Sequence, residues 1–143
     1  MPEETRRASF KIVVRRVEQP FSSNLDRELD WICSSLGFFE PIDREKTAAS
    51  VFKVIVRAAE QRKPLTSTAL AKRVDMSRGS VINHLNRLQR SGLVVRQGRF
   101  YLPRSRSVFR TIEEIEEDIE RIFQRMKKAA VEIDREFGIK FEE

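Results

Sequence analysis

The chain has 143 residues, with 28 Lys/Arg against 22 Asp/Glu, one His and one Cys. That length suits one compact core with appended helices rather than two large domains, and a lone cysteine excludes an internal disulfide. There is no apolar run long enough to cross a bilayer and no apolar block of a secretion signal near the start, so a cytoplasmic protein with no membrane partner is expected.

Residues 1–42 read as an N-terminal extension. Phe10, Ile12 and Val14 alternate along residues 9–17 and predict a strand. Leu25, Leu29, Ile32 and Leu36 then fall on one face of a helix over residues 24–36, capped by Ser23 or Asn24 and stopped by Gly37. Cys33 sits among Leu29, Trp31, Ile32 and Leu36, as a small buried hydrophobe would. Phe38, Phe39, Pro41 and Ile42 form an apolar connector.

A second domain is expected over residues 43–107. Asp43 is placed to cap a helix to about residue 61, with Ala48, Phe52, Ile55 and Ala59 as its inward stripe. A shorter helix follows, opened by Thr66 or Ser67 and carrying Leu70, Ala71 and Val74 at helical spacing. Asp75, Met76 and Ser77 make a turn. Ser77 caps a further helix, over residues 77–91, whose Val81, Leu85 and Leu88 face inward and whose Arg78, Ser80, Asn83, Asn86 and Arg87 do not. Gly92 ends it where a positive φ is needed. Two short strands, 93–96 and 99–102, then flank Gln97 and Gly98 as a two-residue hairpin loop. Helix, turn, helix and hairpin in this order predict a winged helix-turn-helix: a mainly α fold with a small β-wing.

Charge is sorted along the chain. Residues 62–110 carry 12 Lys/Arg and a single acid, Asp75; residues 1–61 carry 10 of each sign; residues 111–143 carry 6 bases and 11 acids. A basic field confined to the helix-turn-helix segment is the footprint of a partner with a phosphate backbone.

The last segment, residues 108–143, predicts one long helix to about residue 137. Ile112, Ile115, Ile119, Ile122, Met126, Ala129 and Ile133 alternate spacings of three and four, which is a coiled-coil seam. The outer face is acidic first (Glu113, Glu114, Glu116, Glu117, Asp118, Glu120) and basic later (Arg121, Arg125, Lys127, Lys128). Two alternatives stand at this point: the helix folds back on its own domain, or it meets a second copy, with Ile112, Ile115, Ile119, Ile122, Met126 and Ile133 as the dimer contacts. The second is expected, because a narrow stripe on so long a helix exceeds what one small core needs, and isoleucine at both seam positions leaves two-stranded and higher-order assembly open.

Residues 65–102, with LAKRVDMSRGSVINHLNRLQRSGLVV at their centre, resemble the ArsR-like winged-helix regulators, particularly archaeal members. The segment TIEEIEEDIERIFQRMKKAAVEIDREFG resembles their C-terminal dimerisation helix. The resemblance implies a homodimeric transcriptional regulator that binds double-stranded DNA. The metal-sensing branch of that family carries paired cysteines or acid and histidine clusters, and this chain has neither, so no metal and no cofactor is expected. His84 is expected to be a half-buried histidine of the second helix. A Gly-rich phosphate loop, a Ser/His/Asp set and an HExxH motif are all missing from the sequence, which speaks against an enzyme.

In a winged helix, the first residues of the second helix reach base edges. Arg78 is suited to guanine and Asn83 to adenine, with Ser77 and Ser80 beside them. Thr66, Ser67, Lys72, Arg73, Asn86 and Arg87 are expected at phosphates, and Arg96, Gln97 and Arg99 at the wing on the flanking backbone or minor groove. The rival reading is an adaptor or basal transcription factor that binds protein, or binds DNA without sequence preference.

Overall fold

A computed structural model describes residues 24–36 and 47–140, together with Val14, Arg16 and Gln19. Apart from Val14 and Arg16, the expected strand over residues 9–17 lies outside the described residues, as do the apolar connector and the Asp43 cap.

Helix α1, Leu25–Ser35, begins at Asn24, whose side-chain oxygen accepts the Arg27 N–H at 2.9 Å. Leu29 and Cys33, one turn apart, are buried, and Ile32 and Leu36 are half-buried against the core, whereas Leu25, expected on the same face, is 53% exposed at the start of the helix. Helix α2, Thr47–Glu60, is the centre of the fold and touches α1 and the elements named below as α3, α4 and β3. Its Ala48, Val51, Phe52, Ile55 and Ala58 are all buried, and their three- and four-residue spacing puts them on one side. Lys53 Nζ lies 2.6 Å from Asp26 and joins α1 to α2. That hydrogen bond and charge hold the Asp26 carboxyl below the usual carboxylate range.

Strand β1 is only Leu65–Thr66, and helix α3, Ser67–Val74, follows without a break. Thr66 is its cap, with Oγ1 accepting the Ala69 N–H at 3.2 Å. Asp75 closes α3 in the left-handed region, at φ 55° and ψ 51°, so that Met76 N–H reaches back to the Ala71 carbonyl at 3.0 Å. Aspartate tolerates that conformation better than most side chains. Helix α4, Arg78–Arg90, is capped by Ser77 as expected and ends at Gly92, where φ is +86° and Leu93 N–H returns to the Leu88 carbonyl at 3.1 Å. This is the capping bond pattern that needs a positive φ, which glycine adopts without strain.

Strands β2, Val94–Gln97, and β3, Phe100–Pro103, pair antiparallel with Gln97 opposite Phe100. The hairpin loop is therefore Gly98-Arg99, one residue later than the expected Gln97-Gly98. Gly98 has φ +62° while Arg99 does not share the positive φ, so glycine occupies the first central position of the turn, a II′ preference, rather than the second. The sheet also has a third strand: β1 pairs with β3, Leu65 opposite Tyr101 and Thr66 opposite Phe100, in the order β1-β3-β2. The result is a mainly helical winged helix-turn-helix with a small antiparallel sheet and a long terminal helix.

Phe52, Leu70, Val81, Leu85, Leu88 and Leu93 are fully buried in one core shared by the helices and the sheet. Each such side chain stabilises the fold by about 1.5–3 kcal/mol relative to exposure. Helix α5, Val108–Glu136, joins this core by its first three turns only. Thr111 and Ile115 are buried there, with Val108, Ile112 and Ile119 half-buried against the core. Residues 121–130 are all exposed. The expected unbroken dimer seam thus divides: Ile112, Ile115 and Ile119 pack on their own domain, whereas Ile122, Met126 and Ile133 remain 43%, 49% and 55% exposed.

The connection from wing to α5 is braced rather than slack. Arg104 N–H donates to the Leu93 carbonyl at 3.0 Å, and Ser105 N–H donates to Thr111 Oγ1 at 3.1 Å. The Arg104 guanidinium lies 3.1 Å from Glu114 and 2.7 Å from Asp118, with all three side chains at most a quarter exposed. Arg110 meets Glu113, Glu114 and Glu117 on the same stretch of helix; its bond to Glu117 raises the guanidinium pKa further.

Candidate nucleic-acid interface

Helix α4 is held by one face and offers the other. Val81, Leu85 and Leu88 have no exposed surface, and they fix the rotation of the helix about its axis. Gly79, Asn83, Asn86 and Arg90, spaced four, three and four residues apart, are exposed together on a different face. Arg78 and Ser80 are exposed in the first turn. Arg90 was not among the residues expected at the interface; its spacing of four from Asn86 is the signal that places it there.

The start of α4 is organised by hydrogen bonds. Ser77 Oγ accepts the Ser80 N–H at 3.2 Å and donates to Ser80 Oγ at 3.0 Å. Arg78 Nε donates to Ser67 Oγ at 3.3 Å, linking the first turn of α4 to the first turn of α3. Because Thr66 also pairs with Phe100 in the sheet, Arg78, Ser67, Thr66 and the wing form one connected frame. Two residues expected at phosphates also have partners within the chain: Ser67 is 9% exposed and its hydroxyl receives Arg78, and the Thr66 hydroxyl caps α3, so both also support the frame. The Arg78 guanidinium keeps its four Nη hydrogens beyond the Ser67 bond, in a side chain already steadied at Nε.

Lys72 and Arg73 are exposed in the last turn of α3, Asn83 and Asn86 on α4, and Arg96, Gln97 and Arg99 on the wing. Arg87 is half-buried. Arg96 is also tied to the hairpin itself: its Nε donates to the Gly98 carbonyl at 2.8 Å and its guanidinium lies 5.8 Å from the centre of the Tyr101 ring. His84 is half-buried on α4, where a packing role was expected. Of the 12 bases in residues 62–110, Arg104 and Arg110 face the acids of α5. The acidic start of α5 is therefore matched to Arg104, just after the wing, and to Arg110 of the same helix.

A cleft of about 740 Å³ lies between α1, α2 and the end of α3, lined by Asp26, Lys53, Arg57, Arg73 and Met76 among others. Lys53 is already bound to Asp26 there. Among the described residues, no three His, Cys, Asp or Glu side chains are placed to hold a metal ion. No described helix is long and apolar enough to cross a membrane.

Residues 45–97 match the family model described as a helix-turn-helix domain. The match covers about a third of the chain and runs through α2, α3, α4 and β2, the elements that carry the exposed stripe. Comparison with curated proteins and with solved structures gave no match.

Proposed function

We propose that this winged helix-turn-helix chain is an ArsR-like transcriptional regulator that binds double-stranded DNA in a sequence-specific manner, as a homodimer on inverted-repeat promoter sites. The observation that carries the proposal is the exposed stripe of α4. Asn83, Asn86 and Arg90, with Arg78 and Ser80 at the first turn, are side chains whose donors and acceptors match base edges and phosphates, and they stand on a helix locked in rotation by Val81, Leu85 and Leu88.

In this mechanism α4 enters the major groove by its N-terminal end. Arg78 grips a guanine through its Nη hydrogens while Ser67 holds Nε, and Asn83 pairs with an adjacent adenine. Lys72, Arg73, Asn86 and Arg90 hold phosphates and set the register. Arg99, in the hairpin loop, extends the contact to the flanking backbone, and Arg96 shapes the loop that carries it. Occupation of a promoter by the dimer changes access of the transcription machinery, the common route of regulation by such domains.

The experiment is a gel-shift series with a genomic promoter fragment and with random duplex, across salt. Retained preference for selected sequence as salt rises is expected. Equal, uniformly salt-sensitive binding to both would overturn sequence-specific reading in favour of a non-specific DNA-binding factor, and absence of binding to either would point to a protein-binding adaptor.

A further inference from the structure

We propose that the cleft between α1, α2 and the end of α3 binds an amphiphilic carboxylate, a single acid group on an apolar body, and that this ligand competes with DNA for Arg73. The binding half stands on the cleft alone; the competition rests on the DNA-binding reading above.

Ala49, Lys53 and Arg57, at spacings of four, form a row along the α2 wall of the cleft. The buried Leu29 and Ala49 and the half-buried Val54, Val74 and Met76 give it an apolar floor, with the exposed Arg57 and Arg73 at its rim. Its volume of about 740 Å³ falls within the roughly 300–1,000 Å³ usual for small-molecule sites. Floor and rim together suit a ligand with an apolar body and a charged head. Five charged side chains line the cleft, the three bases and the two acids Asp26 and Asp75. One positive charge is left over, which matches a monoanion and not a polyphosphate.

The chain itself displays the head-group chemistry. The Asp26 carboxylate, 75% exposed, lies 2.6 Å from Lys53 Nζ, and its pKa is lowered first by that hydrogen bond and charge and also by the charge of Arg57. A carboxylate is therefore what the bases of α2 already hold. With Lys53 so engaged, a second carboxylate falls to Arg57 and Arg73, whose planar guanidinium forks match its two oxygens.

The position couples the cleft to DNA. Val74 ends α3, Asp75 and Met76 form the turn and Ser77 caps α4, so one wall of the cleft is the joint of the helix-turn-helix itself. Arg73 is the phosphate contact next to that joint, and one guanidinium cannot serve a ligand carboxylate and a DNA phosphate at once. An occupied cleft lowers DNA affinity, and bound DNA lowers ligand affinity by the same factor.

The test is calorimetric titration of the full chain with octanoate, octanamide and acetate. Octanoate should bind. Octanamide, the same body without the charge, should bind roughly tenfold or more weaker. Acetate, the head without the body, should lose at least as much. No octanoate binding would overturn the proposal, as would octanamide or acetate binding equal to that of octanoate. Arg57→Glu, at an exposed position outside the proposed DNA contacts, should abolish the preference for octanoate over octanamide. Unchanged octanoate affinity in that variant would put the acid on another surface, such as the exposed stripe of α5, and overturn the site. Gel shifts in saturating octanoate, with equal acetate as the control for ionic strength, should show DNA affinity several-fold lower and the salt slope lower by about one. Arg73→Ala should lose that response. Octanoate held through Arg57 with DNA affinity unmoved would overturn the competition. Octanoate held through Arg57 in a chain that binds no DNA would overturn the DNA-binding reading and the competition, and leave the site standing.

Discussion

Gly79 offers a way to separate folding from DNA binding with one methyl group. It lies in the first turn of α4 on the exposed stripe, and a Cβ built there meets nothing within 4 Å in the chain. The fold therefore has no steric need for glycine at this position. Its place inside a helix costs about 0.5–1 kcal/mol relative to alanine. Gly79→Ala should thus stabilise the protein by up to that amount, seen as a rise of roughly 1–4 °C in the thermal midpoint by circular dichroism. If α4 enters the groove by this turn, the added methyl stands between helix backbone and DNA, and overfilling a close-packed contact costs about 1–3 kcal/mol. Affinity for a specific site should then fall by roughly five- to 150-fold. A variant that is more stable and binds unchanged would refute the placement of this turn against DNA. A variant that is less stable would refute the open space around Gly79.

Substitutions elsewhere test the reading residues and the braces separately. Arg78→Ala should weaken specific binding by about 1–3 kcal/mol and relax preference at one base pair, whereas Arg73→Ala should weaken all sequences alike and lower the salt slope by about one, both read by gel shift across salt. Arg104→Ala removes the shared partner of Glu114 and Asp118, of which Asp118 is 14% exposed, and should cost about 1–3 kcal/mol in chemical denaturation; an unchanged midpoint would mean that these ion pairs do not brace α5. Asp26 has its pKa lowered by Lys53, so its contribution to stability is present above the ordinary carboxylate value and is lost as pH falls through the lowered one. The difference in thermal midpoint between the unsubstituted chain and Asp26→Asn should be positive at pH 7, small because the carboxylate is exposed, and should shrink as the pH is lowered below the ordinary carboxylate range. A difference that persists in acid would place its origin elsewhere.

Much of the helix-turn-helix was legible because its signals are local. Thr66, Ser77 and Gly92 act within a few residues of themselves, and Val81, Leu85 and Leu88 declare an inward face by spacing alone. The wing was placed one residue early because Gly98 can serve either central position of a two-residue loop, and only pairing across the strands distinguishes the two. Strand β1 carried no signal, since two residues cannot show alternation and its partner β3 lies beyond both helices of the motif, at Tyr101 and Phe100. The division of the α5 seam was hidden for a different reason. Periodicity shows which face of a helix is apolar, but the same isoleucines serve whether their own domain or a second copy covers them. Arg78, Ser80, Asn83 and Asn86 were expected on the polar face of α4 and are exposed there, and Arg90, exposed with them, was not among the expected residues. The supporting roles of Ser67 and Arg96 depend on hydrogen bonds to Arg78 and Gly98 that no spacing rule predicts.

Reading of duplex DNA by α4, twice, from the two ends of a symmetric dimer, is tested most directly by selecting bound duplexes from a random pool with the purified full chain and sequencing the retained population. An enriched inverted repeat is expected, with half-site centres about one helical turn apart, roughly 10–10.5 base pairs. Because the wing is braced to α5 through Arg104 and Ser105, inserting about five base pairs, half a helical turn, between the half-sites of that repeat should abolish tight binding. A retained pool with no enriched motif, or a motif without dyad symmetry, would contradict this reading of the fold.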